Sequence, residues 1–136
     1  MRAEATMRQR GSSAAMYILV AGDDATLLDV LAGEIASEGY DVIVAMNGQE
    51  AYEQVLAHDP AVVFVRASMP VFNGFETCAL LRGDPDIGAK LPVFVVTDES
   101  VDPHKLDEAG ATGVFPVTHD AHDVRELLAA YATTGF

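Results

Sequence analysis

One arginine stands where this chain is expected to carry a functional site. The five apolar residues Ala61–Val65 are typical of a strand that is buried on both faces, and Arg66 follows them directly. Pro70, Asn73 and Gly74 then predict a loop before the next helix. In open α/β sheets, sites lie at the carboxyl ends of the strands. The position of Arg66 therefore marks the predicted functional edge of the molecule.

Other groups are expected at the same edge, because each follows a further predicted strand. Gly22, Asp23 and Asp24 follow the first strand, Thr97 ends the fourth, and Val117 ends the fifth. A guanidinium and a hydroxyl suit an anion, whereas the surrounding acids oppose one.

Five apolar runs alternate with segments of helical period, and these elements must position the groups named above. The predicted strands are residues 17–21, 41–45, 61–66, 92–96 and 113–117. Helices are predicted from an N-cap supplied by Gly22-Asp23-Asp24 to a stop at Gly39, and at about 50–58, 74–82, 102–109 and 121–131. The predicted helical core positions are Leu28, Leu31, Ile35, Ala51, Val55, Leu56, Phe75, Cys78, Leu81, Val124, Leu127, Leu128 and Tyr131. Continuous apolar strands need cover on both faces, which predicts a (βα)5 doubly wound parallel sheet.

Length and charge narrow the possible functions. The 136 residues suffice for one domain, predicted at 16–136 after a flexible tail at 1–15. The net charge of -13 disfavours direct binding of nucleic acid. No apolar run is long enough to span a membrane, and the single cysteine, Cys78, excludes an internal disulfide framework. These features predict a cytoplasmic protein.

Several short motifs occur in order along the chain: Ile18-Leu19-Val20 before an acidic turn, Met69-Pro70 with Gly74, Pro92 with Thr97, and Gly110-Ala111. Taken together, they resemble a bacterial response-regulator receiver domain of the CheY-like superfamily. The resemblance covers about residues 17–132. It implies a five-stranded flavodoxin-like sheet with strand order 2-1-3-4-5 and a role in two-component signalling or a phosphorelay.

The same resemblance exposes departures at the residues that perform the family's chemistry. The phospho-acceptor Asp falls on Arg66, the first Mg²⁺-binding acid on Gly22, and the Lys on Val117. Asp23 matches the second acid and Thr97 the hydroxyl, while the aromatic switch position falls on Val114. An arginine cannot accept a phosphoryl group, and its charge repels Mg²⁺. The sequence is thus interpreted as an atypical, non-enzymatic pseudo-receiver with no cofactor and with weak or absent Mg²⁺ binding.

Arg66 is predicted to form a bidentate ion pair with Asp23 or Asp24 that replaces both metal and lysine. The alternative is that its side chain extends to solvent from a decayed site. Asp98-Glu99, in the loop after the fourth strand, offers further acids for Arg66 or Lys105.

The expected partner is a protein, such as a histidine kinase, a phosphotransferase or an output domain, and a homodimer is a further possibility. The resemblance implies two interaction faces, the first-helix face and the face formed by the fourth helix, fifth strand and fifth helix. The exposed candidates on the second face are His104, Lys105, Glu108, Val114, His119 and Arg125. His119 and His122, at the start of a helix, are predicted to be solvent-exposed rather than metal ligands.

Two rival functions remain open at the level of sequence. The first is an allosteric domain that senses a small anion or nucleotide through Arg66 and Thr97. The second is a regulator that is phosphorylated at a non-standard residue such as Ser68 or Asp23.

Overall fold

A parallel sheet of five strands forms the centre of the molecule. The computed structural model describes residues 16–87, 90–98 and 100–132. The strands are β1 (Tyr17–Ala21), β2 (Asp41–Ala45), β3 (Val62–Arg66), β4 (Val93–Thr97) and β5 (Gly113–Pro116). Their order is β2-β1-β3-β4-β5, and all four neighbouring pairs are parallel. The predicted fold class and strand order are confirmed.

A helix follows each strand, as the alternating pattern predicted. The helices are α1 (Ala25–Ser37), α2 (Gly48–His58), α3 (Gly74–Gly83), α4 (Pro103–Ala109) and α5 (Ala121–Tyr131). Asn and Asp side chains cap all five N-termini by accepting backbone N–H bonds; these are Asp24, Asn47, Asn73, Asp102 and Asp120. None of these helices is both long and apolar enough to cross a membrane.

Two apolar cores lie on the two faces of the sheet, because successive strand residues point to opposite sides. Ile18, Phe64 and Phe115 pack with α1 and α5 on one face. Leu19 and Val65 pack with α2 and α3 on the other face, where Cys78 is buried as predicted. The central strands β1, β3 and β4 are therefore apolar at almost every position, as a sheet covered on both sides requires.

Three apolar residues in elements that were predicted to be buried are exposed. Val44 is 42% exposed because β2 is an edge strand that is only partly covered by helices. Leu56 is 47% exposed because the buried face of α2 is formed by Gly48, Ala51 and Val55. Tyr131 is 44% exposed, although its ring packs edge-on against Phe94 with centroids 5.0 Å apart. Element bounds differ from prediction by one or two residues. The predicted tail at 1–15 and Glu99 lie outside the described residues.

Candidate functional site

The carboxyl edge of the sheet brings together the groups that the sequence predicted there. Arg66 ends β3, Thr97 ends β4, and Gly22 follows β1. Val117 follows β5, and its N–H donates to the Thr97 carbonyl at 3.1 Å. The fold therefore places Gly22 beside Arg66 and Val117 beside Thr97 along one edge.

Arg66 and Gly22 are in direct contact. A Cβ atom at position 22 would lie 2.7 Å from Arg66 Cγ and 3.4 Å from Arg66 Cβ. Gly22 is buried and has no positive φ, so the absence of a side chain serves space rather than backbone conformation. The aliphatic stem of Arg66 therefore occupies the volume that a side chain at position 22 would fill.

The predicted ion pair between Arg66 and Asp23 or Asp24 is wrong. Among residues 16–87, 90–98 and 100–132, Arg66 takes part in no ion pair. Asp24 is engaged elsewhere, because its Oδ1 accepts the Leu27 N–H at 3.1 Å as the N-cap of α1. Asp23 is exposed. The guanidinium remains only partly exposed, which also argues against a side chain that extends freely into solvent.

Arg66 is instead one of the residues that line a cleft between the ends of β3 and β4. The cleft has a volume of about 220 Å³ and is lined by Arg66, Ala67, Ser68, Val96, Thr97 and Asp98. Nε of Arg66 is buried and has no hydrogen-bond partner in the part of the chain that the structure describes. Because a buried N–H without a partner costs roughly 1–3 kcal/mol, this atom is the least satisfied feature of the site.

The loop from β3 to α3 carries a strained turn beside this edge. The Phe72 N–H donates to the Pro70 carbonyl at 2.8 Å, and the residue between them, Val71, has a φ of 70°. This is the rarer form of γ-turn, and positive φ is unusual for a β-branched residue. The Gly48 N–H also approaches the Pro70 carbonyl, at 3.4 Å, so the turn is seated on the N-terminus of α2. Val71 is 66% exposed. Nothing in the sequence analysis singled out this residue.

Five of the six candidates on the α4-β5-α5 face are exposed. His104 pairs with Glu108 at 3.7 Å, and Lys105 Nζ lies 4.6 Å from the centroid of the Phe75 ring. Val114 is 37% exposed. Arg125 is exposed, and its Nε lies 3.3 Å from Glu38 Oε2 on α1.

His119 is the exception, and its predicted exposure is wrong. Its side chain is 1% exposed and lies between the β5–α5 loop and α1. Nε2 lies 2.5 Å from Glu34 Oε1, Nδ1 lies 2.9 Å from the Pro116 carbonyl, and the ring packs on Phe115 at 4.6 Å. Glu34 is 85 residues away in sequence, so no local pattern indicated this contact. His122 is exposed as predicted, 3.4 Å from Glu126.

Perturbed pKa values occur away from Arg66. Burial raises the pKa of the Cys78 thiol, and the nearby Arg82 charge only partly opposes that effect. The backbone N–H of Asp123 holds the pKa of Asp120 below its ordinary value. Within the described ranges, no three His, Cys, Asp or Glu side chains are grouped so that they could share a metal ion.

Comparison with known proteins gives a consistent assignment. The family model described as the response regulator receiver domain matches residues 18–130. The DNA-binding response regulator MtrA of Mycobacterium tuberculosis is 33% identical over 106 residues, which are 78% of this chain and 42% of MtrA. Response regulator MprA of the same species is 34% identical over 80 residues, 59% of this chain and 34% of MprA. This chain thus spans less than half the length of either relative.

Solved structures agree on the fold. Chemotaxis protein CheY4 of Vibrio cholerae superposes with a TM-score of 0.80 at 22% identity, covering 87% of this chain and 99% of CheY4. The receiver domain of sensor histidine kinase PA1611 from Pseudomonas aeruginosa, solved with a coordinated magnesium ion, gives a TM-score of 0.78 at 18% identity, covering 87% of this chain and 98% of that one. By its match over residues 18–130, the chain belongs to the response regulator receiver domain family.

Proposed function

We propose that this receiver signals without aspartyl phosphorylation, as a protein-interaction module of a two-component-type pathway. The observation that carries the proposal is Arg66 at the end of β3, with its stem packed over Gly22. In the family resemblance these two positions hold the phospho-acceptor and the first metal-binding acid. A guanidinium cannot form an acyl phosphate, and a glycine has no carboxylate to offer a metal.

The acids at this edge do not form a complete Mg²⁺ site either. Of the two acid positions in the family resemblance only Asp23 carries a carboxylate, and the positive charge of Arg66 disfavours a divalent cation at the same edge. Val117, at the position of the family's Lys, offers no amine to a phosphoryl group and instead packs partly against the core. Three positions with the wrong chemistry, Gly22, Arg66 and Val117, support a receiver that does not undergo the usual switch.

A protein is the expected partner, and the α4-β5-α5 face is the proposed surface. The described candidates that remain exposed there combine both charge signs with the apolar Val114; they are His104, Lys105, Glu108, Val114 and Arg125. Both exposed charge and a small apolar centre suit a protein interface with a polar rim. The net charge of -13 makes the surface of this chain itself unsuited to a phosphate backbone. DNA binding by relatives such as MtrA is therefore not carried over to these residues.

Treatment with acetyl phosphate and Mg²⁺, and separately with beryllofluoride, tests the proposal. Intact mass and backbone amide shifts are followed for wild type, for Arg66→Asp, and for Arg66→Asp combined with Gly22→Asp. Arg125→Asp, the same charge change at an exposed site on α5, is the matched control. We expect wild type and the control to gain no phosphoryl mass and to show unmoved loop amides. A wild-type gain of one phosphoryl group contradicts the proposal, and peptide mapping then shows whether Ser68 or Asp23 carries it.

A further inference from the structure

We propose that the cleft beside Arg66 binds a small phosphate-type oxyanion, without covalent chemistry, as the input of this receiver. The inference rests on the proposed function, since a phosphorylated side chain at the same edge would compete for the guanidinium. It adds a ligand class to a site whose own side chains offer no phosphorylation chemistry.

Arg66 supplies the first part of the argument, because it is held in position without being neutralised. Its stem lies against Gly22, so the side chain is packed rather than free to rotate. Within the described ranges its charge has no carboxylate partner, and its buried Nε has no acceptor. A guanidinium without a carboxylate partner among the described residues keeps its planar donor fork available for an oxyanion.

The cleft supplies the second part, through its size and its hydroxyl groups. Its volume of about 220 Å³ lies below the range of about 300–1,000 Å³ typical of pockets for drug-sized ligands. A nucleotide base and sugar would therefore project outside it, whereas a phosphate group fits. Ser68 and Thr97 line the same cleft as Arg66. The Ser68 hydroxyl beside a guanidinium adds a donor that suits an oxyanion.

The acids nearby define what kind of binding is possible. Asp98 lines the cleft and is exposed, and it makes no ion pair with Arg66 in the described structure. Together with the net charge of -13, it opposes any anion that is held only at long range. Binding must therefore depend on direct contact with the guanidinium, which makes the prediction specific to this one side chain.

Backbone hydrogen bonds connect the residues that line the cleft to the neighbouring strands. The Ala67 N–H donates to the Val96 carbonyl at 3.0 Å, and the Val117 N–H donates to the Thr97 carbonyl at 3.1 Å. An oxyanion between Arg66 and Thr97 would thus bridge the β3–α3 loop and the end of β4, which in turn holds the end of β5. Occupancy could be transmitted to the exposed α4-β5-α5 face through these backbone bonds.

Titration of the whole chain with inorganic phosphate, glycerol phosphate and sulfate, at ionic strength matched with sodium chloride and without Mg²⁺, tests the inference. Amide shifts of residues 67, 68, 97 and 98 and the Arg66 Nε–H resonance are followed. We expect a saturable shift with at least one phosphate probe. A stronger response to glycerol phosphate indicates an organic phosphate as ligand, and a stronger response to inorganic phosphate indicates the free ion.

Three variants make the titration decisive. Arg66→Met keeps an unbranched stem over Gly22 and should abolish saturation, whereas Arg66→Lys should weaken binding by roughly tenfold because it lacks the fork. Lys90→Met, at an exposed position outside the cleft, should bind like wild type. Thermal unfolding first establishes that each variant is folded. Non-saturating shifts in wild type, or saturation that persists in Arg66→Met, would mean an adventitious ion only and would overturn the inference.

Intact mass after each titration separates this inference from the function on which it rests. An unchanged mass without saturable binding removes the ligand but leaves a phosphorylation-independent receiver. A covalent phosphoryl group would instead overturn the proposed function itself.

Discussion

Two arginines of this receiver pack in the same way but end in different environments. Arg66 lies over Gly22, and Arg82 of α3 lies over Gly110, where a Cβ would come within 2.8 Å of Arg82 Cγ. Arg82 uses its head group: Nε donates to the Gly110 carbonyl at 2.8 Å, and Nη2 lies 3.5 Å from Thr112 Oγ1. In the described structure, Arg66 has neither an ion pair nor a partner for Nε.

The difference teaches that packing over a glycine does not by itself indicate function. At Arg82 the same packing ties α3 to the α4–β5 loop, and the hydrogen bonds account for the residue. Nη1 of Arg82 is also buried without a partner, but Arg82 is not among the residues that line the cleft. Arg66 lines a cleft and has no ion pair with any described residue, and that combination makes it a candidate binding residue.

The largest expected effect comes from filling the two glycine positions. Gly110→Ala should destabilise the fold by roughly 2–4 kcal/mol, because its φ of 79° strains any L-residue and its Cβ meets Arg82. Gly22→Ala should cost roughly 1–3 kcal/mol through overpacking alone. Urea unfolding of each variant gives these free energies.

Truncating each arginine to alanine then separates the cost of overpacking from the cost of backbone strain. Arg66→Ala should remove nearly all of the cost of Gly22→Ala, a coupling of roughly 1–3 kcal/mol, because it clears the space above residue 22. Arg82→Ala should leave about 1–2 kcal/mol of the cost of Gly110→Ala, since the backbone strain persists. A Gly22→Ala cost that is unchanged in Arg66→Ala would refute the contact on which the site is built.

Removing each charge while keeping the stem gives the next effect. Arg82→Met should cost about 1–2 kcal/mol, because the Gly110 carbonyl loses its donor. Arg66→Met should leave the fold as stable as wild type or stabilise it by up to roughly 1–3 kcal/mol, because no native hydrogen bond is lost and a buried N–H without a partner is removed. Both are measured by urea unfolding at neutral pH. Equal losses at the two positions would mean that Arg66 has structural partners in solution and is not available to a ligand.

The sequence predicted the fold well because periodicity and end signals are local. Apolar runs, Asp24 as an N-cap and the stop at Gly39 define each element within a few residues of itself. The same reasoning located Arg66 at the predicted functional edge, because all strands of a parallel sheet end at the same edge.

What the sequence missed depends on contacts between distant segments. Gly22 was interpreted only as a lost acid, whereas its structural role is to admit a side chain 44 residues further along. The acidic turn was expected to supply both the cap of α1 and the partner of Arg66; the structure uses Asp24 for the cap and leaves Asp23 exposed. His119 was assigned to solvent because nothing near it in sequence reveals Glu34.

Relief of the strained turn beside Arg66 is expected to have a smaller effect, of opposite sign. Val71→Gly should stabilise the fold by about 1 kcal/mol, because strain at a positive φ exceeds the added chain entropy of glycine. Val71→Ala, which stays strained, is the control, and urea unfolding is the measurement. A destabilised Val71→Gly would show that the exposed valine makes contacts that outweigh its strain.

The smallest expected effect is a pH dependence of the unfolding free energy, and it arises next to α3, the helix that carries Arg82. The Tyr52 hydroxyl donates to Asp84, the residue that follows α3, and holds the pKa of that carboxyl below its ordinary 3.8, with help from the Asp86 N–H. Because this pKa is lowered on folding, its contribution to stability is present above pH about 4 and is lost as the pH falls through the folded value. The same contact raises the pKa of Tyr52, so a second contribution is lost only at alkaline pH, above the ordinary value of 10.

Tyr52→Phe should remove both pH-dependent contributions to stability, while the loss of stability that other carboxyl groups cause at low pH should remain. Urea midpoints at pH 3, 7 and 11 should therefore differ between wild type and variant most at pH 7, where the hydrogen bond is fully formed, and least at the two extremes. Asp120, whose pKa is lowered by its own N-cap bonds, supplies an internal reference, because Tyr52→Phe should leave its carboxyl titration unchanged. A constant difference between the two proteins across all three pH values would mean that Tyr52 acts only through packing. The contact between Tyr52 and the end of α3 would then stabilise the fold independently of the charge on Asp84.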